Sequence, residues 1–130
     1  MSYQGHCNCE SIKVTLKEQP SESLLCHCHN CRRTGGLFSV NYVLDEPEAV
    51  IDDSNSALKV YQDKNTASGN TVQRGFCSGC GSPIFTKSPQ FPGKVLVKAN
   101  VFDITATPTT EVFSVGRETW LKPVGNAKQE

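Results

Sequence analysis

The chain has 130 residues, 13 of them basic and 13 acidic, so its formal net charge is zero before any metal-bound thiolate is counted. This length suits one domain with a modest core, which we assign to residues 1–130, and no apolar run approaches the ~20 residues of a membrane span. The first residues, Met1-Ser2-Tyr3-Gln4-Gly5, lack the apolar stretch of a secretory signal. We therefore expect a cytoplasmic protein, possible also in the nucleus, whose cysteines stay reduced.

Short strands joined by turns account for most of the chain, so the sequence predicts a mainly β fold. Alternating apolar and polar residues predict a half-buried strand over 12–16. Later strands are predicted at 37–43, 58–61, 72–76, 83–86, 95–97 and 111–115. At most a single helical turn follows Cys28 and ends at Gly35-Gly36, and the polar residues 63–70 predict a loop. The polar end, residues 125–130, is predicted to be a loose tail.

Seven cysteines fall into two groups. The first is the C-x-C-x-x-C cluster Cys26, Cys28 and Cys31; the second combines Cys7 and Cys9 with Cys77 and Cys80. An odd number leaves one thiol over in any disulfide scheme, and a reducing compartment favours metal binding instead. Four thiols can close a tetrahedral zinc site, whereas three leave one coordination position open.

The two groups therefore predict two zinc ions with different roles. A closed four-cysteine site is structural, and it joins the N-terminal strand to the middle of the chain. An open site suits catalysis, because zinc there lowers the pKa of a bound thiol or polarises a carbonyl oxygen. Seven thiolates with two Zn²⁺ add about −3 to the net charge, which argues against nucleic acid as the main partner.

The fourth ligand of the three-cysteine zinc stays open at this stage. Candidates are His29, His6, water or a substrate thiol. His27 lies between two cysteines and is expected to face away from the metal, and both His27 and His29 are expected to be polar surface residues. Arg32 and Arg33 directly follow Cys31. They are candidate substrate-binding residues that attract an anionic thiol; the alternative is two solvated arginines.

Three motifs together resemble the glutathione-dependent formaldehyde-activating enzyme family, also called the CENP-V/GFA domain family. They are Gly5-His6-Cys7-Asn8-Cys9, Cys26-His27-Cys28-His29-Asn30-Cys31-Arg32-Arg33 and Phe76-Cys77-Ser78-Gly79-Cys80-Gly81. The resemblance extends from Gly5 to about Trp120. It implies an Mss4-like fold of coiled antiparallel sheets built around zinc. It also implies the zinc ligands: Cys7, Cys9, Cys77 and Cys80 for a structural zinc, and Cys26, Cys28 and Cys31 for a catalytic zinc.

The resemblance further implies a reaction and its partners. The family's named activity is that of a carbon–sulfur lyase, which reversibly joins a small-molecule thiol such as glutathione to formaldehyde or a similar aldehyde. Many members carry a histidine before an aromatic strand near the C-terminus, and Glu111-Val112-Phe113 has none. The carbon–sulfur lyase activity is the first functional hypothesis.

Two alternatives belong to other functional classes. One is a non-catalytic zinc-binding module of Mss4-like fold that binds a protein. The other is a methionine sulfoxide reductase, which needs a reactive cysteine on a late strand, and none follows Cys80. Metal content separates the enzyme from the module: two zinc ions, one of them labile, favour the enzyme, and one tight zinc favours the module.

Overall fold

A computed structural model of the chain describes residues 2–130, so only Met1 of the assigned domain lies outside the described residues. Most of its regular structure is β. The strands are β1 (Tyr3–His6), β2 (Lys13–Leu16), β3 (Ser23–Cys26), β4 (Ser39–Asp45), β5 (Ala49–Asp52), β6 (Leu58–Asp63), β7 (Val72–Cys77), β8 (Pro83–Lys87), β9 (Lys94–Lys98), β10 (Pro108–Val112) and β11 (Lys128–Gln129). The helix α1 (His29–Gly35) follows β3, and short 3-10 turns cover Glu46–Glu48, Ala99–Val101 and Ser114–Gly116. In the described part of the chain, no helix is long and apolar enough to cross a membrane.

The strands form two sheets, as a mainly β, Mss4-like fold requires. The smaller sheet has the order β1-β2-β5, and the larger has the order β11-β10-β3-β4-β9-β8-β7-β6. Neighbouring strands are antiparallel except at one end of the larger sheet, where β10 runs parallel to both β3 and β11. The expectation of antiparallel sheets is therefore correct for most of the fold but not for β10.

Alternation along the strands divides the larger sheet into two different faces. Tyr42, Phe85 and Val97 join the apolar core together with Val14 and Leu16 of the smaller sheet and with Ile12, which precedes β2. Successive side chains of a strand point to opposite faces. Asn41, Thr86 and Lys98, which adjoin those three core residues in sequence, therefore lie on the other face, where they are also buried. A buried polar face is unusual, and it is where the candidate site lies.

The termini of several elements differ from the sequence prediction. The strand expected at 111–115 is β10, which ends at Val112 because Phe113 is left-handed with φ of 53°. The single turn expected after Cys28 is the seven-residue helix α1, which ends at Gly36 with φ of 106°. Within the tail expected to be loose, residues 128–129 form β11 and pair with β10.

Candidate metal centres

The four-cysteine group joins the end of β1 to the β7–β8 turn. Its sulfur atoms, those of Cys7, Cys9, Cys77 and Cys80, all lie within 4.8 Å of one another. Cys7 Sγ is 3.7 Å from Cys9 Sγ, which in turn is 3.6 Å from Cys77 Sγ. A tetrahedral zinc with Zn–S bonds of about 2.3 Å places its sulfurs about 3.8 Å apart. The spacing of these sulfurs therefore fits a closed zinc site.

Donors around the four-cysteine group favour the thiolate form of Cys9 and Cys80, whereas burial raises the pKa of Cys77 to about 11. The backbone N–H of Ile12 donates to Cys7 Sγ at 3.3 Å. The hydroxyl of Ser82 lies 3.2 Å from Cys80 Sγ, and hydrogen bonds from Ser82 lower the pKa of Cys80 to about 5. Hydrogen bonds from Ser11 likewise lower the pKa of Cys9. Such interactions prepare the sulfurs for a metal, since zinc binds the deprotonated form.

The three-cysteine cluster forms where β3 passes into α1. Cys26 is the last residue of β3, Cys28 caps the helix, and Cys31 lies in its first turn. The backbone N–H of Cys31 donates to Cys28 Sγ at 3.3 Å, and the three sulfurs lie within 4.8 Å of one another. Interactions with Cys26 and Cys28 lower the pKa of Cys31, while interactions with Cys28 and Cys31 raise the pKa of Cys26. The pKa of Cys28 is raised as well, so the three sulfurs cannot all be thiolates unless a cation offsets their mutual repulsion.

The histidines near the cysteines do not join either group of sulfurs in the described part of the chain. His29 is exposed, as expected, and His6 Nδ1 lies 2.7 Å from the carbonyl oxygen of Cys7 at the four-cysteine site. The expectation that His27 is a surface residue is wrong, because its side chain is fully buried. Its Nε2 donates to Glu111 Oε1 at 2.8 Å, so the ring faces a carboxylate rather than the sulfurs.

Glu111 holds His27 and the C-terminal segment together. Its Oε2 accepts hydrogen bonds from the Val124 N–H at 2.8 Å and from Gln129 Nε2 at 2.7 Å. Arg117 lies 3.4 Å from its Oε1. Burial by itself would raise the pKa of Glu111, but the hydrogen bonds from Gln129, His27 and Val124 outweigh it and lower the pKa to about 2. His27 lies between Cys26 and Cys28 in sequence. The carboxylate of Glu111, by holding the ring of His27, therefore helps to fix the position of the backbone that carries these two cysteines.

A cavity of about 200 Å³ adjoins the three-cysteine cluster and is lined by Cys26, Cys28 and Cys31. Its floor is the polar face of the larger sheet. Arg74 of β7 pairs with Thr86 of β8, and Lys98 at the end of β9 pairs with Asn41 of β4. Those four residues also line the cavity. The fold thus places a row of buried polar side chains opposite the cysteine sulfurs.

Two cations lie in this floor. Lys98 is 4% exposed and its Nζ donates to Asn41 Oδ1 at 2.7 Å. Burial lowers the pKa of Lys98 to about 8, although the charge on Cys31 acts in the opposite direction. Arg74 Nε donates to Asp63 Oδ2 at 2.7 Å, and Asn30 of α1 donates to the same oxygen at 2.8 Å. Asp63 therefore neutralises Arg74 and fastens α1 to the sheet.

The two arginines singled out from the sequence lie elsewhere. Arg32 forms an ion pair with Glu118, and Arg33 is exposed. Neither is among the described residues that line the cavity. The cations that do line it, Arg74 and Lys98, were missed because a basic residue within a strand carries no motif that indicates a site. Only the strand register, which the sequence does not reveal, places them on one face.

Comparison with known proteins finds similarity in sequence and in fold. The sequence model of the family described as glutathione-dependent formaldehyde-activating enzyme matches residues 2–116. A curated Halomonas elongata protein with the provisional name glutathione-dependent formaldehyde-activating enzyme is 26% identical over 106 residues, which cover 79% of this chain and 67% of that protein. A crystal structure of a Rhodobacter sphaeroides protein, determined in a structural-genomics programme, superposes with a TM-score of 0.62. The superposition covers 98% of this chain and 99% of the Rhodobacter sphaeroides chain, and the two sequences are 17% identical. The likeness therefore concerns the fold.

Proposed function

Since this chain belongs to the glutathione-dependent formaldehyde-activating enzyme family, we propose that it is a zinc-dependent carbon–sulfur lyase. It reversibly adds a small thiol, glutathione or a similar one, to formaldehyde or a similar aldehyde. The observation that best supports this reaction is the ligand count at the cavity. Three sulfurs lie within 4.8 Å of one another and line an open space of about 200 Å³. Three protein ligands with one position left for water or substrate are typical of catalytic zinc, whereas structural sites are closed.

Cys26, Cys28 and Cys31 would hold the catalytic zinc, and Cys7, Cys9, Cys77 and Cys80 the structural one. The close sulfurs of the three-cysteine cluster and the lowered pKa of Cys31 fit such an ion. When bound, zinc supplies a positive centre that favours the thiolate form of a substrate thiol or polarises an aldehyde oxygen. The position of the cavity makes that centre accessible to both reactants.

The reaction is a simple nucleophilic addition that needs few catalytic groups from the protein. A thiolate sulfur forms a bond to the aldehyde carbon, the carbonyl π electrons move to oxygen, and that oxygen takes a proton to give an S-hydroxymethyl product. The chain's contribution is to bring the two reactants together and to favour the thiolate. The apolar residues Leu24, Val72 and Leu96 line the cavity and reduce the water around the reactants. The charge of Lys98 favours the entry of an anionic thiolate next to a negatively charged cluster.

An assay of adduct formation tests this proposal. The rate at which glutathione and formaldehyde combine is measured with zinc-loaded protein and corrected for the spontaneous reaction. We expect acceleration by the wild type, none by Cys28→Ser, and a melting temperature of that variant within about 3 °C of the wild type, because the cluster spans only six residues.

His29→Ala is the matched control for that assay, because His29 is the exposed neighbour of Cys28. We expect it to keep its activity. Wild-type protein that carries both zinc ions yet accelerates no thiol–aldehyde pair would contradict the proposal and favour the non-catalytic module.

A further inference from the structure

The cavity contains hydrogen-bond donors that the folded chain leaves without acceptors. Thr86 Oγ1 is buried and has no hydrogen-bond partner among the described residues. The Lys98 ammonium has three N–H donors, and its hydrogen bond to Asn41 Oδ1 accounts for one of them. Buried polar groups are normally paired, and one left unpaired costs free energy. A ligand that accepts hydrogen bonds would satisfy these groups.

The cavity lining contains two cationic side chains and the three cysteine sulfurs. Arg74 and Lys98 are the two formally charged residues among the described residues of its lining, and none is acidic. Asp63 pairs with Arg74 from outside that lining. Within the described chain, no carboxylate lies within 4.0 Å of Lys98 Nζ, whose hydrogen-bond partner Asn41 is neutral. The anionic groups that act on Lys98 are the cysteine sulfurs, Cys31 above all. Zinc bound to those sulfurs would offset most of their charge and leave the Lys98 ammonium to attract an anionic ligand.

Arg74, Thr86 and Lys98 each carry hydrogen-bond donors, and they lie on the adjacent strands β7, β8 and β9. Arg74 of β7 is the register partner of Thr86 of β8, and Thr86 is the partner of Leu96 of β9. Lys98 is two residues beyond Leu96 and so on the same face of the sheet. Diagonal neighbours across a strand pair are ~7–8 Å apart at Cα, within reach of a lysine side chain. Thr86 thus lies between the two cations, an arrangement that suits the two oxygens of a carboxylate.

From this arrangement we propose that the cavity is a carboxylate site, with Lys98 and Thr86 donating to the carboxylate and Arg74 beside it. The cavity, about 200 Å³, is smaller than the ~300–1,000 Å³ of pockets for drug-sized ligands. It therefore suits a short carboxylic acid, and the sulfurs of Cys26, Cys28 and Cys31 lie in the same lining. Resting on the proposed function, the inference is that the thiol or the aldehyde of the reaction is a short acid, such as mercaptoacetate or glyoxylate.

Calorimetry with pairs of ligands that differ only in charge tests the site without relying on activity. Acetate is compared with acetamide, mercaptoacetate with 2-mercaptoethanol, and glyoxylate with glycolaldehyde, on the zinc-loaded full chain. A hydrogen-bonded charge pair in a buried site is worth roughly ten- to hundredfold in affinity. We expect each acid to bind at least tenfold more tightly than its neutral partner. The second and third pairs show whether the thiol or the aldehyde carries the carboxylate.

Variants of the floor assign the preference to residues. Lys98→Met should abolish it, Lys98→Arg should keep part of it, and Thr86→Val, which removes only the hydroxyl, should lower it several-fold. Lys94→Met is the matched control, since Lys94 lies on the same strand but is partly exposed and pairs with Asp45. Zinc content is measured for every variant. If Lys98→Met loses a zinc, the preference for acids is instead judged from Thr86→Val, provided that this variant retains both zinc ions.

Equal binding of acids and neutral analogues by the wild type would overturn the carboxylate site. So would an unchanged preference in Lys98→Met or, where that variant loses metal, in Thr86→Val. Adduct formation without a preference for acids would remove the inference and leave the proposed function standing. Acid binding without any adduct formation would leave the carboxylate site standing and contradict the proposed function.

Discussion

Glu111 binds the side chain of His27, the residue between Cys26 and Cys28 of the three-cysteine cluster. It is 2% exposed at its side chain and binds His27, Val124 and Gln129 through its two oxygens. A buried carboxylate is tolerated only when its charge is satisfied by such donors. Its lowered pKa, about 2, shows that the folded state favours the ionised form. The stability of the fold is therefore coupled to the ionisation of this group.

We expect Glu111→Gln to be less stable than the wild type by an amount that depends on pH. Lowering the pKa from 4.5 to about 2 corresponds to a contribution on the order of 3 kcal/mol. This contribution is fully present above about pH 4.5 and is lost as the pH falls toward 2. Urea unfolding of both proteins between pH 7 and pH 2.5 measures it, and a difference in stability independent of pH would contradict it.

Arg33 is exposed beside the cluster, so its effect on a dissolved anion is long-range. Such effects extend over a Debye length, ~10 Å at 0.1 M salt. We expect Arg33→Ala to weaken glutathione binding at low salt, with the loss fading toward 1 M salt. Arg32→Ala is expected to act more strongly, because it also leaves Glu118 without its partner. Unchanged affinity of both variants at low salt would identify them as solvated side chains.

At the scale of elements, the 3-10 turn Ser114–Gly116 packs on the backbone between Cys26 and Cys28. A Cβ placed on Gly116 would lie 2.4 Å from the carbonyl oxygen of His27, closer than any real contact. The absence of a side chain at Gly116 therefore lets this turn approach the backbone of His27. Glu111 and Gly116 both contact His27, the first at its side chain and the second at its backbone.

Gly116→Ala should consequently destabilise the protein by about 1–3 kcal/mol, as overpacking of a buried contact does. It should also weaken zinc binding at the three-cysteine cluster, because the backbone that carries Cys26 and Cys28 must shift. Gly125→Ala is the control, since no heavy atom lies within 4 Å of a Cβ there, and its effect should stay within about 0.5 kcal/mol. Denaturant unfolding and zinc titration measure both. Equal effects of the two substitutions would contradict the packing argument.

Elements whose apolar pattern is strong were predictable, and those that depend on tertiary pairing were not. Lys94–Lys98 contains a clear apolar run and forms a strand near the predicted position. Tyr3–His6 has little apolar character, and it forms a strand because it pairs with β2. The two cysteine groups were evident from spacing alone. The buried state of His27 and the polar floor of the cavity depend on register, which spacing does not encode.

At the scale of the whole molecule, the two cysteine groups, once bound to metal, would constrain the chain differently. The four-cysteine group joins residues 7–9 to residues 77–80, and so links the smaller sheet to the larger one. The three-cysteine cluster joins residues that are already close in sequence. Closing a long loop removes more entropy from the unfolded chain than closing a short one. Stability should therefore depend on the first group and activity on the second.

Cys80→Ser should lose one zinc per chain and melt at least about 10 °C below the wild type. Structural zinc contributes several kcal/mol or more to folding, and each kcal/mol shifts the melting temperature of a domain of this size by a few degrees. Calorimetry together with elemental analysis measures both quantities. A variant with full zinc content and an unchanged melting temperature would contradict this pairing of cysteines.

The central claim is that Cys26, Cys28 and Cys31 hold a zinc with an open position, distinct from a closed four-cysteine zinc. Its most direct test is the zinc released per chain as a chelator is added stepwise to the wild type and to Cys28→Ser. An open position admits the chelator as a competing ligand, so one zinc should leave the wild type early and the second only with unfolding. Cys28→Ser should contain one zinc and show only the late release. Simultaneous release of both zinc ions from the wild type, or two zinc ions retained by Cys28→Ser, would contradict the claim.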